Sequence, residues 1–116
     1  MNLDARIDAI VNVLDEKKAE EIEVFNLDEA DYIAKRVVIA NSLNPKHTLA
    51  LYDDLKKALK PKGETFLHAD TSDEWVVVDL GDILVHIMIP LYRRRYDLES
   101  FLNEILQQRR TTQEEA

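Results

Sequence analysis

The stretch 75–90, Trp-Val-Val-Val-Asp-Leu-Gly-Asp-Ile-Leu-Val-His-Ile-Met-Ile-Pro, constrains the fold more than any other part of this chain. It is the densest apolar run, and it is rich in β-branched residues, which suit a pleated surface. Asp79, Leu80, Gly81 and Asp82 interrupt it. Gly81 can take a positive φ at little steric cost, so two strands joined by a tight turn are expected. Pro90 has no N–H to give to a ladder and closes the second strand. Along that strand Ile83, Val85, Ile87 and Ile89 share one face, and Leu84, His86 and Met88 share the other. Neither face is polar, so either helices cover both or one is left for a partner.

The rest of the chain supplies the covering elements. Leu3, Ile7, Ile10, Val11 and Leu14 recur at helical spacing and predict an amphipathic helix over 3–19. Ile22 and Val24 alternate with Glu23, Phe25 and Leu27, which predicts a strand over 21–27. Residues 28–35 are polar and read as a turn or a short helical piece. Val37, Val38 and Ile39 form a continuous apolar run, suited to an interior strand over 36–40. Asn44 can cap a second helix and Pro45 is pre-shaped for its first position. Thr48, Leu51, Leu55, Ala58 and Leu59 form that helix's apolar stripe, and Pro61-Lys62-Gly63 stops it. Residues 65–69 read as a third strand. Leu98, Phe101, Leu102, Ile105 and Leu106 predict a last helix. The expected architecture is one α/β domain over 1–106, a mixed β-sheet flanked by helices, with a polar tail over 107–116 that frays. The connection from Ile39 through the second helix suits a right-handed crossover to a parallel neighbour.

Composition narrows the function classes. The chain has no cysteine, so a disulfide framework and a thiolate metal site are both excluded. No second His or carboxylate pair stands at ligand spacing from His86, so neither a metal nor a cofactor is expected. No apolar run approaches the ~20 residues that span a bilayer. The opening residues lack a basic region followed by an apolar run, so a cytoplasmic protein without a membrane partner is expected. The net charge of −8 argues against a general nucleic-acid binder and is compatible with a basic protein partner.

Each chemistry-bearing residue has two readings. Trp75 is either an interface anchor or a core residue at a strand end. His86 is a hydrogen-bonded core histidine or a contact residue. Asp79 and Asp82 could form an acid–base pair, but a turn whose Asp accepts backbone N–H groups is the plainer reading. Arg93, Arg94 and Arg95 are a solvated basic face, or a contact to an acidic patch or to phosphate. Leu98 packs, while Tyr96 and Glu99 could rim a partner site.

The run from Trp75 through Asp79, Gly81-Asp82 and Val85-His86 to Arg93-Arg94 and Tyr96-Asp97-Leu98-Glu99 resembles the signature of the ribosomal silencing factor family (RsfS, also called Iojap). Upstream, Ala30-Asp31, the Val38-Ile39 strand, a Ser42 loop and the pair Lys46-His47 fall in the family's order. The chain departs from the pattern where a Gly is usual near Ser42, where Glu-Gly usually precedes the Trp, and where Leu-Trp is usual at Phe101-Leu102. The resemblance implies a nucleotidyltransferase-like fold without catalytic motifs. Indeed Ser42 lacks the Gly of a phosphate loop, and no Asp-x-Asp/Glu strand follows the second helix. It also implies a non-enzymatic factor that binds the large ribosomal subunit through large-subunit ribosomal protein fourteen. Such a factor blocks joining of the small subunit in starvation or stationary phase. The partner-binding residues expected on this basis are Lys46, His47, Trp75, Asp79, Gly81, Asp82, His86, Arg93, Arg94, Tyr96, Leu98 and Glu99. A nucleotidyltransferase-like enzyme and a homodimeric adaptor using a free sheet face stand as alternatives.

Overall fold

A computed structural model describes residues 2–30 and 32–115, with 108–115 as backbone only. Asp31, Met1 and Ala116 lie outside the described residues. The elements in order are α1 (Leu3–Glu16), β1 (Glu20–Asn26), β2 (Arg36–Asn41), α2 (Pro45–Leu59), β3 (His68–Asp70), β4 (Trp75–Asp79), β5 (Ile83–Met88), α3 (Pro90–Tyr96) and α4 (Leu98–Glu115). A 3₁₀ turn, Lys60–Lys62, finishes α2. No helix among the described residues is long and apolar enough to cross a membrane.

The sheet is mixed, with strand order β1-β2-β5-β4-β3. The hairpin forms as its sequence demands. β4 pairs antiparallel with β5 in the register Trp75↔Met88, Val77↔His86, Asp79↔Leu84. At its tip Gly81 has φ 93°, and its N–H donates to Asp79 Oδ1 at 2.8 Å. β2 is interior and runs parallel to β5. That parallel pair is not joined by a single helix, because α2, β3 and β4 all lie between the two strands in the chain.

Several boundaries differ from the sequence reading. α1 stops at Glu16 rather than Ala19, in a Schellman closure: Ala19 N–H donates to Leu14 C=O at 2.9 Å and Lys18 N–H to Asp15 C=O at 3.1 Å. Lys18 takes the left-handed position at φ 76°, where glycine is the usual signal, and so the stop is hard to read. The third strand is only His68–Asp70, an edge strand. Pro90 closes β5 and also occupies the first turn of α3, a helix without an apolar stripe that the periodicity did not announce. α4 is helical to Glu115, past Leu106. An apolar stripe marks only the part of a helix that has something to bury against, while Gln, Arg and Glu sustain a helix by propensity.

Helices lie on both faces of the sheet. On the first face Ile7, Ile10 and Leu14 of α1 and Leu51, Leu55 and Leu59 of α2 pack on Val38, Val76, Val78, Val85 and Ile87. Each such side chain contributes about 1.5–3 kcal/mol by leaving water. On the second face α4 brings Leu102 onto Val37, Ile39, Leu27 and Met88. That second cluster is smaller, and on β4 it includes only Trp75.

Candidate functional site

The uncovered part of the second face follows from the register. One row across the sheet reads Asp70, Val77, His86, Ile39, Glu23. Within it Ile39 is fully buried beneath the α4 cluster, Val77 is half-buried, and Asp70 is exposed. The face therefore opens from β2 toward β3. Trp75, Val77 and Asp79 of β4 are half-buried, whereas Val76 and Val78 between them are sealed on the other side.

Aromatic side chains frame this opening. Tyr92 and Tyr96 stand four residues apart on α3 and so share one side of it. The Trp75 ring lies 5.0 Å from that of Tyr96 and 5.9 Å from that of His86, and Tyr92 and Tyr96 are 5.8 Å apart. Tyr96 is half exposed. The Trp75 indole N–H donates to His86 Nδ1 at 3.1 Å. Burial lowers the His86 pKa to about 4, so the imidazole is neutral at pH 7. Trp75 packs against the α4 cluster, as the core reading expects, and stays half-buried.

The other residues singled out in the sequence scatter. His47 lies with the α1–α2 layer. Its Nδ1 accepts from Leu43 N–H at 2.9 Å, and its Nε2 meets Lys17 C=O at 2.8 Å, tying the end of α1 to the start of α2. Lys46 beside it is exposed. Asp79 and Gly81 build the hairpin tip. Asp82 receives the backbone N–H groups of Lys35 and Arg36 on its carbonyl, and its carboxylate lies 3.8 Å from Arg6. Leu98 packs in the α4 cluster.

Arg93 is not a solvated cation. It is 6% exposed and meets Glu23 at 3.1 Å, Glu99 at 3.1 Å, Asn41 Oδ1 at 3.0 Å and the Glu21 carbonyl. It clamps α3 and α4 to the β1–β2 edge, and the presence of Glu21 at φ 49° marks the bulge that aims this carbonyl. Arg94 and Arg95 are exposed, and Arg95 sits 5.9 Å from the Tyr92 ring centre. Sequence reasoning missed Arg36, which pairs with Asp28 and Asp4 and is 7% exposed, and Arg6, which forks onto Glu64 at 2.7 and 2.9 Å. The signal available was a lone Arg at the head of an apolar strand. Ser42 is buried, with its hydroxyl 2.5 Å from that of Thr48. Among the described residues no group of three or more His, Asp or Glu is arranged to hold a metal ion.

Fold and face together define a small α/β domain, with one sheet face sealed by two helices and an aromatic patch on the other. Comparison with known proteins supplies the family. The family model described as "Ribosomal silencing factor during starvation" matches residues 1–116. A ribosomal silencing factor RsfS of Halalkalibacterium halodurans is 32% identical over 91 residues, covering 77% of this chain and 78% of its own. The mouse protein named mitochondrial assembly of ribosomal large subunit protein 1 is 28% identical over 98 residues, covering 80% of this chain and 43% of its own. A crystal structure of a Chromobacterium violaceum protein superposes with a TM-score of 0.84 at 26% identity, covering 89% of this chain and 88% of that one. The chain belongs to the ribosomal silencing factor family.

Proposed function

We propose that this chain binds the large ribosomal subunit through the open β4–β5 face and, once seated, blocks docking of the small subunit. The partner is large-subunit ribosomal protein fourteen, and the consequence is lowered translation in starvation or stationary phase. The mechanism is occlusion and asks no catalysis or cofactor of the chain. The observation that carries the reading is the aromatic patch of Trp75, Tyr92 and Tyr96 left beside a fully sealed core. Rigid aromatic anchors supply contact area at low entropic cost, and an apolar patch beside polar neighbours marks a docking surface. Family membership supports the ribosomal target, and the mouse relative is itself named for the large ribosomal subunit.

In this reading Trp75, His86 and Tyr96 make the contact, with Asp79 and Arg94 at the rim. Gly81, Asp82, Arg93, Leu98 and Glu99 hold the surface in shape. The net charge of −8 steers the chain toward a basic ribosomal protein, and Arg94 offers a peripheral contact to ribosomal RNA.

The test is cosedimentation with separated large and small subunits, followed by a subunit-joining assay. The chain should pellet with the large subunit alone and deplete joined ribosomes. Trp75→Ala and Tyr96→Ala should each weaken binding about thirtyfold, and Tyr96→Ala, at a half-exposed position, should leave the thermal midpoint within a few degrees. Binding to neither subunit at micromolar protein rejects the proposal. A mass that doubles with concentration, without ribosome association, would favour the homodimeric adaptor instead.

A further inference from the structure

The docking face is apolar along the Trp75–Val77–Leu84 patch, with one polar group set into it. Trp75 Nε1 can only donate, so the His86 Nδ1 it reaches at 3.1 Å must be an acceptor. A neutral imidazole has one acceptor nitrogen and one donor, and the proton is therefore on Nε2. Nε2 has no hydrogen-bond partner among the described residues. No buried side-chain nitrogen or oxygen among them is left unpaired, so Nε2 reaches the surface. His86 as a residue is only 9% exposed, which sets this N–H low in the patch. Its ring position is held on two sides: by the indole of Trp75, and by the backbone pairing of His86 with Val77 and Ile39.

We infer that His86 Nε2–H is the polar specificity contact of this face, donating to a main-chain carbonyl oxygen of the partner protein. The inference rests on the docking role proposed above. A carbonyl is favoured over a carboxylate by the surroundings. Asp70 stands in the same cross-sheet row as His86, and Asp79 is in the next row on β4. With a net charge of −8, these carboxylates repel an acidic group at the patch. A partner that brings only hydrocarbon to this point leaves the N–H dry and unpaired, so the contact discriminates by penalty as well as by attraction.

Two substitutions separate donor from anchor. Asn at position 86 places an acceptor near Nδ1 and keeps the indole bond, but has nothing at Nε2. Gln places an amide donor near Nε2 and gives up the indole bond. His86→Asn should weaken large-subunit binding about tenfold or more, with tryptophan emission of the free protein unchanged. His86→Gln should retain more affinity than His86→Asn, with altered emission. The loss in His86→Asn should be equal at low and high salt, since a neutral acceptor is not screened. Nitrogen-15 NMR of the free wild-type chain should show the Nε2–H tautomer.

An Nδ1–H tautomer overturns the inference without reference to the ribosome. Wild-type binding with His86→Asn equally tight overturns it too and leaves the docking proposal standing. A loss that shrinks as salt rises overturns the carbonyl assignment in favour of a carboxylate. Failure of the wild-type chain to bind the large subunit removes the docking proposal and this inference together.

Discussion

Two neighbouring rows cross the same five strands and meet different fates. One reads Ala69, Val78, Val85, Val38, Val24, and its three central valines are fully buried under α1 and α2. The next reads Asp70, Val77, His86, Ile39, Glu23, and its burial runs out from Ile39 toward β3. One residue of register separates them, because successive side chains point to opposite faces. Two amphipathic helices cover the first face. On the second, the apolar cluster built by α4 leaves the β3–β4 side open. The first face holds the larger core cluster, and the second leaves Val77 half-buried and Asp70 exposed.

The largest expected effect breaks the closed face. Leu55 is 1% exposed between α2 and the sheet, and Leu55→Ala should cost about 2–5 kcal/mol by denaturant unfolding. Leu84→Ala, at a half-buried position on the open face, should cost about 1 kcal/mol. Equal costs would mean that the second face is as closed as the first.

Next comes pH. Burial holds the folded-state pKa of His86 at about 4, below the ordinary 6.5. The unfolded chain then binds the proton more readily than the folded one. This contribution to stability is present above pH 6.5 and is lost as pH falls toward about 4. The loss has an upper value of about 3 kcal/mol. Protonation at Nδ1 also breaks the indole bond. His86→Phe should lack this slope in urea melts across that window, and parallel slopes for the two proteins would place the imidazole in water.

The clamp between the faces is smaller in effect. Arg93→Met strips Glu23, Glu99 and Asn41 of their shared partner and should cost about 2 kcal/mol. Arg94→Met, one residue on and exposed, should change stability by less than about 0.5 kcal/mol. A thermal melt of the two variants separates a buried clamp from a solvated run. The hairpin tip lies between those two. Gly81→Ala meets only Leu67 Cδ1 at 3.6 Å, an ordinary contact, so its cost is the positive φ alone, about 1 kcal/mol.

Much of this was legible in advance where a pattern has a period or a capping residue. The Asn44–Pro45 start of α2 forms as read, with Asn44 Oδ1 accepting from His47 N–H at 2.9 Å. α3 was not legible, because seven residues carrying three arginines show no stripe and the helix depends on Pro90 and on its neighbours. Nor was the division of labour in the basic run: Arg93 is held by partners from three other elements, β1, β2 and α4, whereas Arg94 is exposed. His47 shows the same limit, since its partner Lys17 lies thirty positions away.

What the sequence alone determined is local. It set the hairpin, the amphipathic helices, the interior place of β2 and the family signature, since propensity, periodicity and turn chemistry act over a few residues. Tertiary structure decided which apolar face stays open, which arginine is buried and which nitrogen of His86 bears the proton. Each of those depends on groups far apart in the chain meeting within a few ångströms, where burial and hydrogen-bond partners, rather than residue type, choose between equally good local states.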